Sequence, residues 1–305
     1  MRVTLLAGGT GGTKLAHGFA MLPQVELTVV ANVGDDTEVH GLLVCPDLDA
    51  LCYTLAGLLD TDRGWGLRGD THTAQAMWER LREPTWFTVG DADLATHAAR
   101  TRRLREDGAT LTEVAGEMAA ALGITARVLP ATDERWRTIL DTDEGPLAFQ
   151  EYFVRRRQEP EVRAVRFDGD ARPTAAVMDA IAAADLLVIG PSNPIVSIGP
   201  VLALPGVRDA LIAAPAPVVA VSPIVAGRAL KGPADRMLTS LGHESSAVGV
   251  ARLYAGLVER FVLDEADRSL APDIAATGMD AEILPTVMRD DVGRRALAAA
   301  VIGAG

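Results

Sequence analysis

The chain has few cysteines and few aromatic residues, and both shortages limit the classes of protein to which it can belong. Its only cysteines among 305 residues, Cys45 and Cys52, do not form the C-x-x-C pair that is typical of metal sites. Aromatic side chains make up 4% of the sequence, whereas hydrophobic residues make up 49%. The core must therefore be built from Ala, Val, Leu and Ile, which suits helices packed on a parallel sheet.

An excess of cations and long apolar runs are also missing. The net charge of −12 argues against a general nucleic-acid-binding protein, because such proteins use excess cations to displace counterions from phosphates. The apolar run at 3–7 is too short for the core of a signal peptide, and no uninterrupted apolar stretch is long enough to span a bilayer. We therefore expect a cytoplasmic protein that binds neither nucleic acids nor membranes.

What the sequence does contain is a glycine-rich turn, residues 8–14, between an apolar stretch and a helical pattern. Glycines let the backbone bring N–H groups against an anion, and the following helix adds its positive N-terminal end. The turn is not a dinucleotide fingerprint, because Lys14 replaces the third glycine, nor a P-loop, because Thr13 precedes the lysine. A simple strand-to-helix connection is the alternative to a phosphate site. The predicted phosphate contacts are Gly9, Thr10, Gly11, Gly12 and Lys14.

Strand and helix patterns alternate along the chain, which predicts an α/β fold of the Rossmann-like kind, with a mostly parallel sheet flanked by helices. A helical section between about 47 and 122 interrupts the alternation, and we interpret it as an insertion that forms a lid. We expect one α/β domain over 1–305 that contains this insertion. Buried strands of the sheet are predicted at 3–7, 27–31, 126–129, 163–167, 186–189 and 218–221. Helical segments of the insertion are predicted near 47–59, 71–82, 93–105 and 111–122.

Carboxylates cluster where the second predicted strand ends and where the insertion begins. Asp35 and Asp36 follow the strand at 27–31, and Asp47 and Asp49 open the first helix of the insertion. Because ligands of such folds bind at the carboxyl ends of the strands, we expect these side chains beside the glycine turn. Oxygen ligands at this density suit Mg²⁺ that holds a diphosphate. A solvated turn at Asp35 and Asp36, and a helix N-cap at Asp47, are the alternatives.

Two later loops and one tryptophan complete the candidate site. Ser192 and Asn193 follow the strand at 186–189, and Ser222 follows the next predicted strand. Their polar groups can donate to a phosphate or a base, although an ordinary turn explains their spacing equally well. Trp65 lies in a predicted loop, where its indole could stack on a flat ring or pack in the lid or the core.

In this order, the motifs resemble those of the 2-phospho-L-lactate transferases, a family that makes the deazaflavin coenzyme F-420. The ordered set is far more specific than any one motif, and it covers the chain from residue 2 to about 263. The tail from about 264 matches least distinctly. The matching segments are Gly8-Gly9-Thr10-Gly11-Gly12, Asn32-Val33-Gly34-Asp35-Asp36, Cys45-Pro46-Asp47-Leu48-Asp49, Gly64-Trp65-Gly66, Gly190-Pro191-Ser192-Asn193-Pro194, Ser197-Ile198-Gly199-Pro200 and Lys231-Gly232-Pro233.

The resemblance implies a magnesium-dependent transferase. Its donor is lactyl- or enolpyruvoyl-diphosphoguanosine, its acceptor is the terminal ribityl hydroxyl of the deazaflavin Fo, and GMP is released. A metal held by carboxylates spreads the negative charge of the diphosphate during such a transfer. The two donors differ by one double bond, and the sequence does not distinguish them. The family expectation is a homodimer.

The resemblance also implies roles for individual residues. Asp35 and Asp49 are expected to hold the metal or to orient the acceptor hydroxyl, with a general base among them as a hypothesis. The guanosine end of the donor is expected on the glycine turn and on the loop of Ser192 and Asn193, and Trp65 beside the deazaflavin ring. The remaining predicted substrate contacts are Asp36, Asp47 and Ser222.

One segment departs from the family pattern. Members usually carry Gly-Asp-Arg-Asp where this sequence has Gly90-Asp91-Ala92-Asp93, while the residues that follow keep the match. If the family's arginine contacts Fo, its replacement by Ala92 affects acceptor affinity or acceptor identity.

Two other classes share part of the pattern. A regulatory, nucleotide-sugar-binding protein of the gluconeogenesis-factor family has a similar glycine turn and second loop, but the segments at 46–49 and 64–66 favour the transferase. An NAD-dependent oxidoreductase is disfavoured by the incomplete dinucleotide fingerprint.

Overall fold

The computed structural model describes residues 1–303, in which strands and helices alternate along much of the chain. The strands are β1 (Arg2–Ala7), β2 (Glu26–Ala31), β3 (Thr37–Val39), β4 (Leu42–Val44), β5 (Arg127–Pro130), β6 (Arg137–Thr142), β7 (Gly145–Ala148), β8 (Val162–Asp168), β9 (Leu186–Ile189), β10 (Val218–Val221), β11 (Ile224–Val225), β12 (Arg228–Ala229), β13 (Arg260–Asp264) and β14 (Asp280–Leu284). The α-helices are α1 (Gly9–Ala20), α2 (Pro46–Leu55), α3 (Thr73–Arg80), α4 (Asp91–Arg105), α5 (Leu111–Ala121), α6 (Ala175–Ala183), α7 (Gly199–Leu202), α8 (Val207–Ala213), α9 (Ala234–Ser240), α10 (Ala247–Leu253), α11 (Ala271–Ala275) and α12 (Asp291–Val301). A π-helical turn covers Glu151–Arg155, and a 3-10 helix covers Glu265–Leu270.

Seven strands form the central sheet, in the order β14-β13-β10-β9-β1-β2-β5, and each pairing is parallel. Strands β9 and β10 are buried along their whole length, as expected for apolar strands covered by helices on both faces. This confirms the predicted α/β fold. The chain order reverses between β1 and β9, and such a reversal opens a crevice at the carboxyl ends of the strands, where ligands bind.

One strand predicted for the parallel sheet lies elsewhere. Residues 163–167 belong to β8, which pairs antiparallel with β6 in a separate sheet of order β7-β6-β8. The reason is visible in the side chains, because Arg163 and Arg166 are not buried and a strand covered on both faces could not accommodate them. One face of this small sheet packs on a second hydrophobic cluster that contains Leu140, Tyr152 and Met237.

The insertion contains helices at the positions predicted from the periodicity. Helices α2, α4 and α5 begin and end within a few residues of the expected bounds, and α3 is the shortest of the four. No residue of α3 is buried, so this helix lies on the outside of the protein. The loop between α2 and α3 carries Trp65 and reaches the ligand crevice.

The C-terminal part extends the central sheet, which the sequence analysis did not anticipate. Strands β13 and β14 form one edge of the sheet, and α12 packs against α1. The two helices approach closely at Gly18, where a Cβ atom would overlap the carbonyl oxygen of Arg294. In the part of the chain that the structure describes, no helix has the length and apolar character needed to cross a membrane.

Candidate functional site

A cavity of about 620 Å³ opens at the carboxyl ends of the central strands. Loops that follow β1, β2, β9, β10 and β14 line it, together with the loop between α2 and α3. The predicted site residues Gly12 and Asp36 do not line the cavity, whereas the others do: Gly9, Thr10, Gly11, Lys14, Asp35, Asp47, Asp49, Trp65, Ser192, Asn193 and Ser222. Sequence reasoning missed other lining residues, among them Tyr53, Phe87, Asp93, His97, Phe149, Phe153, Met288 and Arg289.

The glycine-rich turn forms the first turn of α1, which starts at Gly9. At Gly11 a Cβ atom would overlap the carbonyl oxygen of Pro191, and at Gly12 it would lie 2.8 Å from Cβ of Ala7. The glycines thus allow the N-terminus of α1 to pack directly on β1 and on the loop after β9. The first N–H groups of a helix lack intrahelical partners and carry partial positive charge, so this end of α1 can bind an anion.

Asp47 joins the N-termini of α1 and α2. Its Oδ1 accepts a hydrogen bond from the Gly9 N–H at 2.7 Å, and its Oδ2 accepts one from Asn32 Nδ2 at 2.9 Å. Asp47 therefore caps α1, although it lies in the first turn of α2, whose N-cap is Cys45. Burial raises the pKa of the Asp47 carboxyl group, and the two hydrogen bonds oppose that effect.

Asp35 presents a carboxylate oxygen that has no hydrogen-bond partner. The residue is 6% exposed, and its Oδ1 is buried and unpaired. Burial, followed by the neighbouring charge of Asp47, raises the pKa of Asp35 well above its ordinary value. A buried polar atom without a partner is rare in folded proteins, and a bound ion is one arrangement that satisfies it.

Asp36 is buried next to Asp35 but does not line the cavity. Its nearest charged partner is Arg137, whose Nη1 lies 4.0 Å from Asp36 Oδ2. Burial raises the pKa of Asp36 to about 7, and the Arg137 charge lowers it in part. Because both aspartates are buried, the alternative of a solvated turn is wrong.

Asp49 is held by Arg100 of α4. Arg100 Nη2 pairs with Asp49 Oδ1, and Arg100 Nη1 donates to Asp49 Oδ2 at 3.1 Å. The Cys45 N–H also donates to Oδ2 at 3.3 Å, and His97 Nδ1 lies 3.6 Å from the same oxygen. Sequence reasoning missed Arg100 and His97, although their spacing from Asp93 places all three on one face of a helix.

Of the polar residues after β9 and β10, Ser192 joins its loop to the start of α1, while Asn193 and Ser222 stabilise their own turns. Ser192 Oγ accepts from the Gly8 N–H at 3.3 Å, and Asn193 Oδ1 accepts from the Ile195 N–H at 2.9 Å. Ser222 Oγ donates to the carbonyl of the residue two positions on, at 2.9 Å. The ordinary-turn alternative therefore describes part of what these side chains do, while each of them also lines the cavity.

Cations line the same cavity. The sequence contains two lysines, Lys14 and Lys231, and both lie in the cavity wall with Arg289. Lys14 Nζ donates to the Met288 carbonyl at 3.2 Å, and burial, together with nearby positive charges, lowers the pKa of Lys14. Lys231 Nζ donates to the Arg63 carbonyl at 3.4 Å. This concentration of positive charge suits a polyanionic ligand.

Aromatic side chains form another part of the wall. Trp65 is 41% exposed, and the guanidinium carbon of Arg63 lies 5.6 Å from the centre of its ring. Phe149 and Phe153, from the segment after β7, stack on each other with ring centres 5.4 Å apart. Such a wall can bind a flat, conjugated ring. Ala92, at the position of the family's arginine, is exposed and does not line the cavity.

A metal ion could bind at Asp35. Within residues 1–303, no group of three or more His, Cys, Asp or Glu side chains forms a ready metal site. Mg²⁺ is commonly held by one or two carboxylates together with substrate phosphates, so the free Oδ1 of Asp35 fits this ion. The oxygens of Asp49 and Asp47 already accept hydrogen bonds from protein groups.

Comparisons with known proteins agree over nearly the whole chain. The profile of the family "2-phospho-L-lactate transferase CofD" matches residues 3–292, so the match extends well into the C-terminal tail. The phosphoenolpyruvate transferase of Kitasatospora aureofaciens is 41% identical, with 98% of each chain covered. The 2-phospho-L-lactate transferase of Methanopyrus kandleri is 38% identical, with 95% of this chain and 93% of that protein covered.

Among solved structures, a member of the UPF0052 family from Bacillus halodurans has the same fold. It superposes with a TM-score of 0.64 at 17% sequence identity, with 99% of each chain covered. The family profile and the curated relatives, by contrast, match this chain in sequence over nearly its whole length. The chain therefore belongs to the 2-phospho-L-lactate transferase family.

Proposed function

We propose that this protein transfers a phospholactyl or phosphoenolpyruvyl group from lactyl- or enolpyruvoyl-diphosphoguanosine to the ribityl hydroxyl of the deazaflavin Fo, with release of GMP, in coenzyme F-420 biosynthesis. The observation that carries the proposal is the make-up of one cavity. A glycine-rich helix N-terminus, two lysines and a buried carboxylate share it with an aromatic wall. The helix N-terminus and the charged side chains suit a diphosphate, and the aromatic wall suits a flat heterocycle.

The diphosphate of the donor is proposed to bind at the start of α1. Thr10 and Gly11 line the cavity there, where the helix carries partial positive charge. Lys14 and Lys231 supply full positive charges beside it. The loop that contains Ser192 and Asn193 packs against α1 and is proposed to contact the guanosine end.

Magnesium is proposed to bind between Asp35 and the donor's diphosphate. When bound, Mg²⁺ supplies charge neutralisation for the phosphoryl oxygens during the transfer. Asp35 supports this role because the residue lines the cavity and its buried Oδ1 has no hydrogen-bond partner. Burial raises the pKa of the Asp35 carboxyl group, and a bound cation would favour its ionised form.

The acceptor is proposed to lie along the aromatic wall. Trp65 and Phe149 would contact the ring, and the terminal hydroxyl would donate a hydrogen bond to Asp49. The hydroxyl oxygen forms a bond to the phosphorus that carries the three-carbon acid, the bond from that phosphorus to GMP breaks, and the hydroxyl proton is released. The protein contributes mainly by positioning the two reactants in line.

The first experiment supplies the purified protein with Fo, Mg²⁺ and each donor in turn, and follows GMP release and the mass of the deazaflavin product. Product with one donor supports the proposal and identifies the group transferred. If neither donor reacts while the protein retains a uridine sugar through purification, the regulatory, nucleotide-sugar-binding function replaces the transferase.

A further inference from the structure

Helix α4 buries only polar side chains. An ordinary surface helix turns an apolar stripe toward the core, but the buried residues of α4 are Asp93, His97, Arg100 and Thr101. They lie on one face, and the first two line the cavity. Burying such groups is unfavourable unless each is paired, so this face is expected to serve the cavity and not only the stability of the fold.

Arg100 lies at the centre of this face and is 2% exposed. Its guanidinium group reaches from α4 to Asp49 in α2, and Nη1 also donates to the Leu43 carbonyl of β4 at 3.2 Å. The planar fork of arginine matches the two oxygens of a carboxylate, so the pair restricts the rotation of the Asp49 side chain.

The pairing with Arg100 determines which acceptor positions of the Asp49 carboxylate can still receive a hydrogen bond. An ionised carboxylate has about four acceptor positions. Arg100 and the Cys45 N–H occupy three of them, and Asp49 lines the cavity. On the other side, His97 lies between Asp49 and Asp93, with His97 Nε2 3.4 Å from Asp93 Oδ1.

We propose that Arg100 is a positioning residue for the transfer reaction. It holds the Asp49 carboxylate in one orientation in the cavity wall and keeps its oxygens out of the coordination of the metal ion. The inference rests on the proposed function for its kinetic part. Asp35 and Asp36 each have an unpaired Oδ1, but only Asp35 lines the cavity, so Asp35 is the carboxylate assigned to the metal.

A double-mutant cycle tests the positioning role. If Arg100 acts through Asp49, Arg100→Gln and Asp49→Asn should each lower kcat by about 100-fold, and the double variant should be within about threefold of either single variant. The donor KM should change by less than about threefold in each case. Losses that multiply in the double variant, or a wild-type-like Arg100→Gln, would overturn the proposal.

Controls separate positioning from folding. Arg102→Gln changes an exposed arginine of the same helix, paired only at the surface with Asp107, and should keep wild-type kcat. If Arg100→Gln does not fold, Arg100→Lys keeps the charge but loses the fork, and we expect the same loss of kcat with a wild-type circular dichroism spectrum. Full activity of Arg100→Lys would mean that charge alone suffices and that orientation does not matter.

The role of each aspartate in metal binding can be measured without turnover. Mn²⁺ is titrated into the protein with GDP present, and free Mn²⁺ is measured by electron paramagnetic resonance. Asp49→Asn should leave the Mn²⁺ affinity within about twofold of wild type, whereas Asp35→Asn should weaken it by about tenfold or more. A comparable loss in Asp49→Asn would overturn the inference. A wild-type protein that binds Mn²⁺ in this way but makes no product would instead contradict the proposed function.

Discussion

At the scale of single residues, four aspartates of one sequence cluster have four different environments. Asp35 and Asp36 each have a buried, unpaired Oδ1, but only Asp35 lines the cavity. Asp47 caps α1, and Asp49 is paired with Arg100. The chemistry of a carboxyl group depends on such surroundings, because burial and charged partners shift its pKa in opposite directions. Identical residue types therefore take separate roles here.

Asp36 should make the free energy of unfolding depend on pH. Its pKa is about 7 in the folded protein, against about 3.9 for an unperturbed Asp in the unfolded chain. Between these values the folded protein holds a proton that the unfolded chain has released. The free energy of unfolding therefore falls as pH rises through this window, by up to about 1.4 kcal/mol per pH unit.

Asp36→Asn should remove this contribution. Urea unfolding of the protein without metal or substrate, at about pH 5.5 and about pH 7.0, measures the change in the free energy of unfolding. The wild type should lose more stability between the two pH values than the variant does. Equal losses would show that Asp36 does not titrate in this range.

At the scale of elements, the loop between α2 and α3 contacts the loop after β12 through Lys231. Gly64 has a φ of +75°, and a Cβ atom there would overlap the ammonium group of Lys231. Lys231 in turn donates to the carbonyl of Arg63. The position of the cation thus depends on the absence of a side chain in the opposite loop.

Gly64→Ala should displace Lys231 and weaken donor binding. We expect the donor KM to rise by about tenfold, which corresponds to about 1.4 kcal/mol. Gly69→Ala is the matched control, because it has a similar φ of +74° in the same loop but nothing within 4 Å of its Cβ position. Equal KM values for the two variants, measured in steady-state assays, would show that backbone strain and not the contact with Lys231 is responsible.

A second close approach joins α1 to α12. Gly18→Ala places a methyl group against the carbonyl of Arg294, and we expect the free energy of unfolding to fall by about 1–3 kcal/mol. Gly116→Ala, in the interior of α5 with open space around its Cβ position, should instead raise it by about 0.5–1 kcal/mol. Thermal or urea unfolding of both variants measures the difference. A stabilised Gly18→Ala would mean that the two helices can separate without loss.

At the scale of the whole molecule, the arrangement of cations is unusual. The chain carries 29 lysines and arginines on a background of net negative charge, yet its two lysines both lie in the cavity wall. The two lysine side chains, which are the chain's only amines apart from the N-terminus, therefore both lie at the candidate site. An amine-selective reagent consequently reports on this cavity more than on the rest of the surface.

Amine modification should inactivate the transferase, and bound nucleotide should protect it. We expect acetylation of Lys14 and Lys231, followed by mass spectrometry, to fall by about tenfold or more when GDP and Mg²⁺ are present at 100 times their Kd. The N-terminal amine serves as the internal control, because it lies outside the cavity and should be modified equally in both samples. Labelling of both lysines that GDP does not change would place the diphosphate elsewhere.

Most of the architecture could be predicted because its signals are local. Runs of Val, Leu and Ile marked five of the seven parallel strands, and helical periodicity marked the insertion. Residues 163–167 were assigned to the wrong sheet, because strand propensity does not reveal which neighbour a strand will pair with. Strands β13 and β14 were missed altogether, although β13 is mostly buried.

The candidate site was predictable only where it follows a strand. The carboxyl ends of parallel strands lie at one edge of a sheet, so Gly9, Asp35 and Ser192 could be placed together before any coordinates were known. Arg100 and His97 could not, because a polar helix face normally points to solvent and nothing local shows that this one is buried. The aromatic wall from Phe149 and Phe153 was missed because these residues follow β7 of the separate antiparallel sheet, and nothing local in the sequence places that segment at the cavity.

By itself, the sequence determined the α/β alternation, the glycine-rich start of α1 and the carboxylates at the strand ends, since each depends on residues close together in the chain. Tertiary structure alone decided that Asp47 caps α1, that Arg100 pairs with Asp49 from 51 positions away, and that the segment after β14 lines the cavity. These contacts join distant segments, and their partners, burial and pKa values are set by how the helices pack on the sheet.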